Sequence, residues 1–199
     1  MAIGLVLASA SPSRRMLMKN AGLDFEAIPA EIDEREIERG NAGRCLGPAE
    51  LAAELACQKA IDVSQRLPSA LVIGCDQTMS LGNRIFHKPA DTVEAKANLL
   101  VLRGKTHRLN SAVALARNGA ILWCDVDIAD LTMREFSDDF LDLYLTRTAE
   151  AVLRSVGAYQ LEGEGIQLFE RIEGDYFTIL GLPLLPLLAQ LRELGEIDV

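Results

Sequence analysis

The sequence predicts an α/β fold built around a mixed β-sheet. In the first half of the 199-residue chain, short apolar runs alternate with stretches whose apolar residues recur at helical spacing. The second half contains two long apolar stretches joined by Asn118-Gly119, a dipeptide typical of a tight antiparallel hairpin turn. Strands that alternate with helices, together with one hairpin, favour a sheet with parallel and antiparallel pairs rather than a strict βαβ repeat.

The first half begins with a short apolar strand that runs into a helix start. Ser11 is a good N-cap, and Pro12 suits the first helical position. In order, we expect a strand at 4–8, a helix at 14–20 closed by Gly22, a strand at 25–28, an exposed loop at 31–39, a helix at 48–64, a strand at 71–75 that ends at Asp76, and a helix at 92–102.

The second half begins with the hairpin. Its strands are expected at 106–116 and 120–131, because both stretches are apolar and Asn118-Gly119 lies between them. Ser137 is an N-cap for a helix that runs through Thr146. We expect two further strands near 166–169 and 176–180, and a closing helix from about Pro183.

Composition limits the class of protein. Nearly half of the residues are hydrophobic, so the chain can bury a core as one domain over 1–199 or as two closely joined lobes. The net charge of −9 argues against a nucleic-acid binder, which needs a broad basic face. No apolar stretch reaches membrane-spanning length and no leader pattern is present, so we expect no membrane association and a cytoplasmic location.

The cysteines and histidines do not predict a zinc or redox site. The four cysteines, Cys45, Cys57, Cys75 and Cys124, lie far apart without a C-x-x-C pair, and the chain has only two histidines. Reduced thiols that pack as small apolar groups are the simpler interpretation.

The segment from Ser9 to Arg15 has the composition of an anion site. Serine hydroxyls, two arginines and the free N–H groups of a helix N-terminus all complement phosphate. The alternative is an ordinary capped helix with two solvated arginines.

A second group of polar residues surrounds Asp76. A carboxylate at the end of a buried strand stands where α/β sheets bind ligands, and Gly74 allows a close backbone approach. Lys59 and Lys88 could each bind phosphate as a point charge. The alternatives are an aspartate that caps a turn and lysines that are simply solvated.

Together these segments resemble the Maf family of nucleoside triphosphate pyrophosphatases. The resemblance rests on LASASPSRR at 7–15, IDE at 32–34, QKA at 58–60, IGCDQ at 73–77, KP at 88–89, GAY at 157–159 with EG at 162–163, and GLP at 181–183. It implies an elongated central mixed sheet with flanking helices, similar to inosine triphosphatase, and a cleft between two lobes. It also implies hydrolysis between the α and β phosphates of a nucleotide, with the monophosphate and pyrophosphate as products.

The resemblance also implies a role for particular residues. Asp76 is expected to accept a proton, and Glu34 and Asp76 to hold a divalent metal. The residues expected to bind substrate are Ser9, Ser13, Arg14, Lys59, Gln77, Lys88 and Glu162. Carboxylate ligands without a histidine cluster suit Mg²⁺ or Mn²⁺, which prefer oxygen.

Within the family, the chain resembles the branch that acts on 7-methyl-GTP. Gln77, Glu162 and the stretch IQLFERIEG at 166–174 carry this finer resemblance. A glutamate can accept hydrogen bonds from the edge of guanine, and its charge favours a base made cationic by methylation. Position 13 departs from that branch, because Ser13 stands where the branch has a tryptophan. The alternative substrates are dTTP, UTP or other nucleotides.

Other function classes have weaker support. Asp125 and Asp127 resemble the paired aspartates of haloacid-dehalogenase-like phosphatases only superficially, and no G-x-x-x-x-G-K-[ST] loop is present. A regulator of cell division that binds a nucleotide without cleaving it is a stronger rival, because phosphate contacts alone prove only binding. The apolar hairpin is compatible with a homodimer.

Overall fold

The computed structural model describes residues 4–41 and 46–198. In chain order the elements are β1 (Leu5–Leu7), α1 (Pro12–Asn20), β2 (Glu26–Ala27), α2 (Glu34–Asn41), α3 (Pro48–Arg66), β3 (Leu71–Leu81), β4 (Arg84–Phe86), α4 (Thr92–Leu102), β5 (Thr106–Arg117), β6 (Ala120–Met133), α5 (Asp138–Val152), a 3₁₀ helix (Glu164–Leu168), β7 (Phe169–Glu173), α6 (Tyr176–Ile179) and α7 (Leu184–Glu193).

The strands form one mixed sheet, which confirms the predicted α/β class. Its order is β2-β1-β3-β5-β6-β7, and β4 pairs with β3. Strand β1 is parallel to both β2 and β3, whereas β4 and β7 run antiparallel to their partners. The parallel part comes from the first 81 residues, where a helix connects β1 to β2 and the helices α2 and α3 connect β2 to β3.

The chain divides into two compact units. The first unit comprises the chain up to Gln77, residues Asn110–Asp127 and the chain from Asp175, and the second comprises Thr78–Leu109 and Ile128–Gly174. Strands β3, β5 and β6 contribute residues to both units. The interpretation of 1–199 as a single domain stays a prediction.

The first unit has a hydrophobic core on each face of its sheet. Alternate residues of a strand point to opposite faces, and the sorting of β3 follows this rule. Ile73 packs with the apolar side chains of α1 and α7, whereas Val72 packs with the alanines of α3. The small alanine side chains let α3 lie close to the sheet.

The second unit has its own buried core. Its members are fully buried aliphatic and methionine side chains from β3, α4, β6 and α5, namely Met79, Leu99, Leu102, Leu131, Met133 and Leu141. Helix α4 begins at an N-cap, Asp91, whose carboxylate accepts a hydrogen bond from the N–H of Glu94.

The hairpin and its turn agree with the sequence. Asn118 and Gly119 have φ angles of 52° and 75°. Positive φ at both central positions is the requirement of the hairpin turn that Asn-Gly favours. The helix capped by Ser137 is also confirmed and extends beyond Thr146 to Val152.

Three predicted segments have a different type of secondary structure over part or all of their length. The expected loop at 31–39 contains α2, because Asp33 accepts a hydrogen bond from the N–H of Glu36 and starts a helix. The expected strand at 176–180 is the short helix α6, because Asp175 accepts hydrogen bonds from the N–H groups of the next turn. At 166–169 a 3₁₀ helix comes first, and β7 begins only at Phe169.

The cysteines that the structure describes are free thiols, as the sequence predicts. These are Cys57, Cys75 and Cys124, and Cys45 lies outside the described residues. Burial raises the pKa of Cys75 to about 11. None of the described helices is both long enough and apolar enough to cross a bilayer.

His107 is a buried histidine in the second unit. It lies on β5, and its Nε2 is 2.8 Å from the hydroxyl of Tyr159. Its Nδ1 has no hydrogen-bond partner among the described residues. Burial lowers the pKa of His107 from 6.5 to about 4, although the nearby Asp130 acts in the opposite direction.

We expect His107 to make the folded state sensitive to acid. Between pH 6.5 and 4 the unfolded chain binds a proton at this position that the folded chain does not, so the free energy of unfolding falls as the pH falls. From pH 7 to pH 5 the expected loss is about 2 kcal/mol. His107→Gln keeps a polar partner for Tyr159 but does not titrate, so its urea-unfolding stability should decline less over this range. Equal declines in both proteins would contradict the assignment.

Candidate active site

The turn between β1 and α1 has the hydrogen bonds of a capped helix N-terminus. The hydroxyl of Ser11 accepts from the N–H of Arg14, and Pro12 occupies the first turn, as predicted. Buried Ser9 accepts a hydrogen bond from the N–H of Ser11 at 3.2 Å. The N–H of half-buried Ser13 lies in the first turn, where a helix offers no internal acceptor. The turn therefore offers both hydroxyl and N–H groups to an anion.

Arg14 is not a solvated arginine. Its Nε donates to the carbonyl of Gly181 at 2.7 Å, and its Nη1 donates to the carbonyl of Cys75 at 2.9 Å and to the hydroxyl of Ser9 at 3.3 Å. These bonds fix the guanidinium between α1, β3 and the turn before α7. They leave Nη2 as the nitrogen most suited to an added anion, since a guanidinium carries five N–H donors. The neighbouring Arg15 is exposed, so only one of the two predicted arginines is built into the site.

Lys59 joins the two carboxylates that the sequence singled out. Its Nζ lies 2.6 Å from Oδ1 of Asp76 and 2.7 Å from Oε1 of Glu34. The side chains of Lys59 and Asp76 are only 11% and 10% exposed, whereas that of Glu34 is 55% exposed. The structure thus brings together one ammonium group and two carboxylates from three separate parts of the sequence.

The close approach of α3 to β3 explains this contact. A Cβ atom on Gly74 would lie 2.1 Å from the carbonyl oxygen of Ala56 and 2.7 Å from the backbone nitrogen of Ala60. Only a glycine fits there. Asp76 follows Gly74 by two residues and therefore points to the same face of the strand, and Lys59 precedes Ala60 on the helix that covers that face. Gly74 thus approaches a helix of the same chain.

Asp76 lies inside β3 and not past its end, contrary to the prediction. The strand continues to Leu81 because its last residues pair with β4, with Met79 opposite Phe86. The alternative interpretation of Asp76 as a turn cap is therefore also wrong. The carboxylate projects from within a continuous strand of the sheet, which is a more rigid support than a loop.

Gln77 has structural contacts. Its Nε2 donates to the hydroxyl of Ser111 at 2.8 Å and lies 3.1 Å from the carbonyl oxygens of Thr178 and Ile179. The Gln77 amide thereby holds α6 against the sheet of the first unit. Its expected role in substrate binding stays a prediction.

The hydroxyl of Thr178 donates to Asp127 at 2.6 Å. Asp127 lies on β6, one strand of the hairpin, and thus has a structural partner on α6, which argues further against a phosphatase with paired aspartates.

Lys88 and Glu162 belong to the second unit. Lys88 is exposed between β4 and α4, and Glu162 is exposed in the turn before the 3₁₀ helix. Tyr159, three residues before Glu162, is buried with its ring 4.8 Å from that of Phe169. The loop that carries Glu162 is therefore anchored in the core of its unit.

Sequence reasoning missed two features of the site. It did not pair Lys59 with Asp76 and Glu34, and it did not find that the carbonyls of Cys75 and Gly181 hold Arg14. Asp33 followed by glutamates was a detectable signal for the helix that carries Glu34. The carbonyl contacts had no signal, because every residue has a carbonyl.

The carboxylates fit a magnesium-like ion that shares its coordination with a ligand. Among the described residues, no group of three or more His, Cys, Asp or Glu side chains is arranged to hold a metal. Mg²⁺ commonly uses one or two carboxylates together with phosphate oxygens and water, so Glu34 and Asp76 would suffice if phosphates supplied the rest. The donor set is all oxygen, which suits Mg²⁺ or Mn²⁺ better than a zinc site built from cysteine and histidine.

Comparisons with known proteins show which family the chain matches. A family model described as Maf-like protein matches residues 4–194. A protein of Rhizobium etli named 7-methyl-GTP pyrophosphatase is 62% identical over 194 residues, which cover 98% of each chain. A protein of the same name from Rhizobium meliloti is 59% identical over 194 residues, again 98% of each chain.

A protein of Rhodopseudomonas palustris named nucleoside triphosphate pyrophosphatase is 52% identical over 189 residues, which cover 95% of this chain and 93% of that one. Among solved structures, a HAM1 protein from Coxiella burnetii overlays 66% of this chain and 73% of its own, with 14% identity and a TM-score of 0.39. That likeness is too distant to carry an argument.

Gly74→Ala should separate α3 from β3. The added methyl group would overlap two backbone atoms of the helix, so we expect a loss of stability of about 1–3 kcal/mol and a lower Tm. Gly4→Ala is the matched control, since a Cβ there would meet no atom within 4 Å, and its effect should stay within about 0.5 kcal/mol. Equal melting temperatures for the two variants would show that the close approach is not required.

Proposed function

The chain belongs to the Maf family, and from this premise we propose that it is a nucleoside triphosphate pyrophosphatase. The proposed reaction is hydrolysis of the anhydride between the α and β phosphates of a nucleotide. The observation that carries the proposal is the nearly buried Lys59–Asp76 pair next to Cys75, whose carbonyl holds Arg14; this arrangement combines a carboxylate base with two cations in one unit.

The chemistry of the reaction accounts for this set of residues. In the proposed reaction a water oxygen forms a bond to the α phosphorus, the bond from that phosphorus to the bridging oxygen breaks, and pyrophosphate leaves with the electron pair. Asp76 is the group suited to accept the proton of the water. Arg14 and Lys59 are suited to stabilise the negative charge on the phosphate oxygens, which is the main demand of phosphoryl transfer.

The remaining phosphate contacts are assigned by chemistry. The Ser9 hydroxyl and the N–H of Ser13 lie on the turn that Arg14 fixes, so they are suited to a phosphate placed over that turn. Lys88 is exposed and is proposed to bind phosphate. Support for these roles comes from residue type and from the family resemblance.

The proposed cofactor is Mg²⁺ or Mn²⁺. Glu34 and Asp76 would hold it together with phosphate oxygens of the substrate. When bound, the ion would supply positive charge to the phosphates.

The proposed substrate is a guanine nucleotide such as 7-methyl-GTP. Several relatives that are more than half identical to this chain carry that name. Glu162 supports the proposal, because its carboxylate can accept hydrogen bonds from the N1–H and amino groups of guanine. The relative from Rhodopseudomonas palustris carries the broader name of nucleoside triphosphate pyrophosphatase, which keeps other bases as the second candidate.

A panel of nucleotides tests the reaction and the base together. The purified chain is given 7-methyl-GTP, GTP, dTTP, UTP or CTP with Mg²⁺ or Mn²⁺, and pyrophosphate and orthophosphate are measured separately. We expect pyrophosphate as the product, with the fastest turnover on 7-methyl-GTP. Orthophosphate as the first product would contradict the bond assignment, and fastest turnover on dTTP or UTP would contradict the base.

Asp76→Asn assigns the turnover to this site. The substitution removes the base, so turnover should fall by at least about 10²-fold, while nucleotide affinity measured without a divalent cation changes little. Asp24→Asn is the control, because Asp24 is an exposed carboxylate of the same unit outside the cluster. Nucleotide binding without turnover in the unmodified chain would instead support the non-catalytic regulator.

A further inference from the structure

Lys59 occupies the place between two carboxylates that a divalent cation would require. We propose that its ammonium group is a built-in counter-ion for Glu34 and Asp76, so that the divalent cation binds only together with the nucleotide. This inference rests on the proposed function for the identity of the nucleotide. It adds that the cation does not bind before the nucleotide, and it assigns Lys59 the role of a counter-ion in addition to that of a phosphate ligand.

The distances show that both carboxylates contact the same nitrogen of Lys59. One nitrogen lies within 2.7 Å of an oxygen from each carboxylate, so the two oxygens flank the same point. Lys59 supplies one positive charge and the two carboxylates supply two negative charges, so the cluster keeps a net negative charge. A dication is therefore attracted to the cluster, yet it must compete with a cation that is already in place.

The burial of Lys59 prevents it from simply moving aside. Its side chain is only 11% exposed, and α3 is held against β3 at Gly74, so the helix cannot carry the ammonium group away. An ammonium group withdrawn from both carboxylates in a site of low polarity needs another anion. Among the described residues of this cluster, Glu34 and Asp76 are the anions bonded to Lys59.

A nucleotide supplies the missing anion. Its phosphates can replace the carboxylates as the anions bonded to Lys59, which leaves the carboxylates available to the cation. The phosphates also add oxygen ligands for that cation. Binding of nucleotide and cation should therefore be positively coupled, and each should tighten the other by the same factor.

Mn²⁺ binding to the nucleotide-free protein tests the inference. The amount of free Mn²⁺ is measured by electron paramagnetic resonance for the unmodified chain, Lys59→Met, and Lys19→Met as a control with the same charge change. Lys19 is exposed on α1 in the same unit. We expect Lys59→Met to bind Mn²⁺ about tenfold more tightly or better, because two carboxylates then lack a counter-ion, and Lys19→Met to match the unmodified chain.

If Lys59→Met does not fold, two further measurements test the inference: Mn²⁺ binding by Lys59→Arg and the effect of a nucleotide analogue on Mn²⁺ in the unmodified chain. Lys59→Arg retains the positive charge and should bind Mn²⁺ as weakly as the unmodified chain. A GTP analogue with a methylene bridge between the α and β phosphates should enhance Mn²⁺ water-proton relaxation in the unmodified chain above that of either binary mixture. Mn²⁺ binding that is equally tight in the unmodified chain and Lys59→Met, or no enhancement with the analogue, would overturn the inference.

The outcomes separate this inference from the proposed function. Tighter Mn²⁺ binding by Lys59→Met without any pyrophosphate release by the unmodified chain would support the counter-ion and reject the enzyme. Pyrophosphate release together with equal Mn²⁺ binding in both proteins would support the enzyme and reject the counter-ion.

Discussion

The contact between α3 and β3 at Gly74 is the constraint on which the site depends. At this position a helix carbonyl lies where any other residue would place a side-chain carbon. The alanines of α3 and the glycine of β3 bring the two backbones together, and the strand period then aims Asp76 at the helix. The Lys59–Asp76 pair is thus a consequence of backbone packing, and neither side chain must reach across open space to form it.

Close packing also decides the energetics of the charged cluster. Buried charges are costly unless they are paired, and removal of one partner is usually worse than removal of both. Lys59 and Asp76 are nearly buried and depend on each other, whereas Glu34 lies on a more exposed helix and can leave the pair at lower cost. Arg14 is held instead by carbonyl oxygens, which accept hydrogen bonds from its guanidinium without neutralising its charge. The site therefore keeps one cation that is balanced by carboxylates and another that is available to an anion.

Local signals in the sequence predicted those parts of the fold that depend on local chemistry. Asn118-Gly119 predicted its hairpin because few other residues accept positive φ at both turn positions. Ser11 and Ser137 predicted their helices because each caps its own first turn. Prediction failed at 176–180, where β-like apolar residues form α6 after the cap at Asp175, and at Asp76, where pairing with the distant β4 extends the strand.

The candidate site was predicted only as a set of residue types. Its carboxylates and cations were all named from the sequence, but their pairing depends on the register between α3 and β3, which no local pattern encodes. Gly74 was the sequence signal of that register, because a glycine in a strand indicates a close approach. The sequence alone did not show whether a ligand or a helix approaches it. Lys88 and Glu162 illustrate the same limit, because their roles depend on residue type and family resemblance alone.

A double-mutant cycle between Lys59 and Asp76 measures the central interaction most directly. Free energies of unfolding are determined for the unmodified chain, Lys59→Met, Asp76→Asn and the double variant. We predict a coupling energy of at least about 1 kcal/mol. Lys59→Met leaves the nearly buried carboxylate of Asp76 without its cation, and Asp76→Asn leaves Lys59 with only the more exposed Glu34, whereas the double substitution removes both charges. Single effects that add to within about 0.3–0.5 kcal/mol of the double variant would contradict the account.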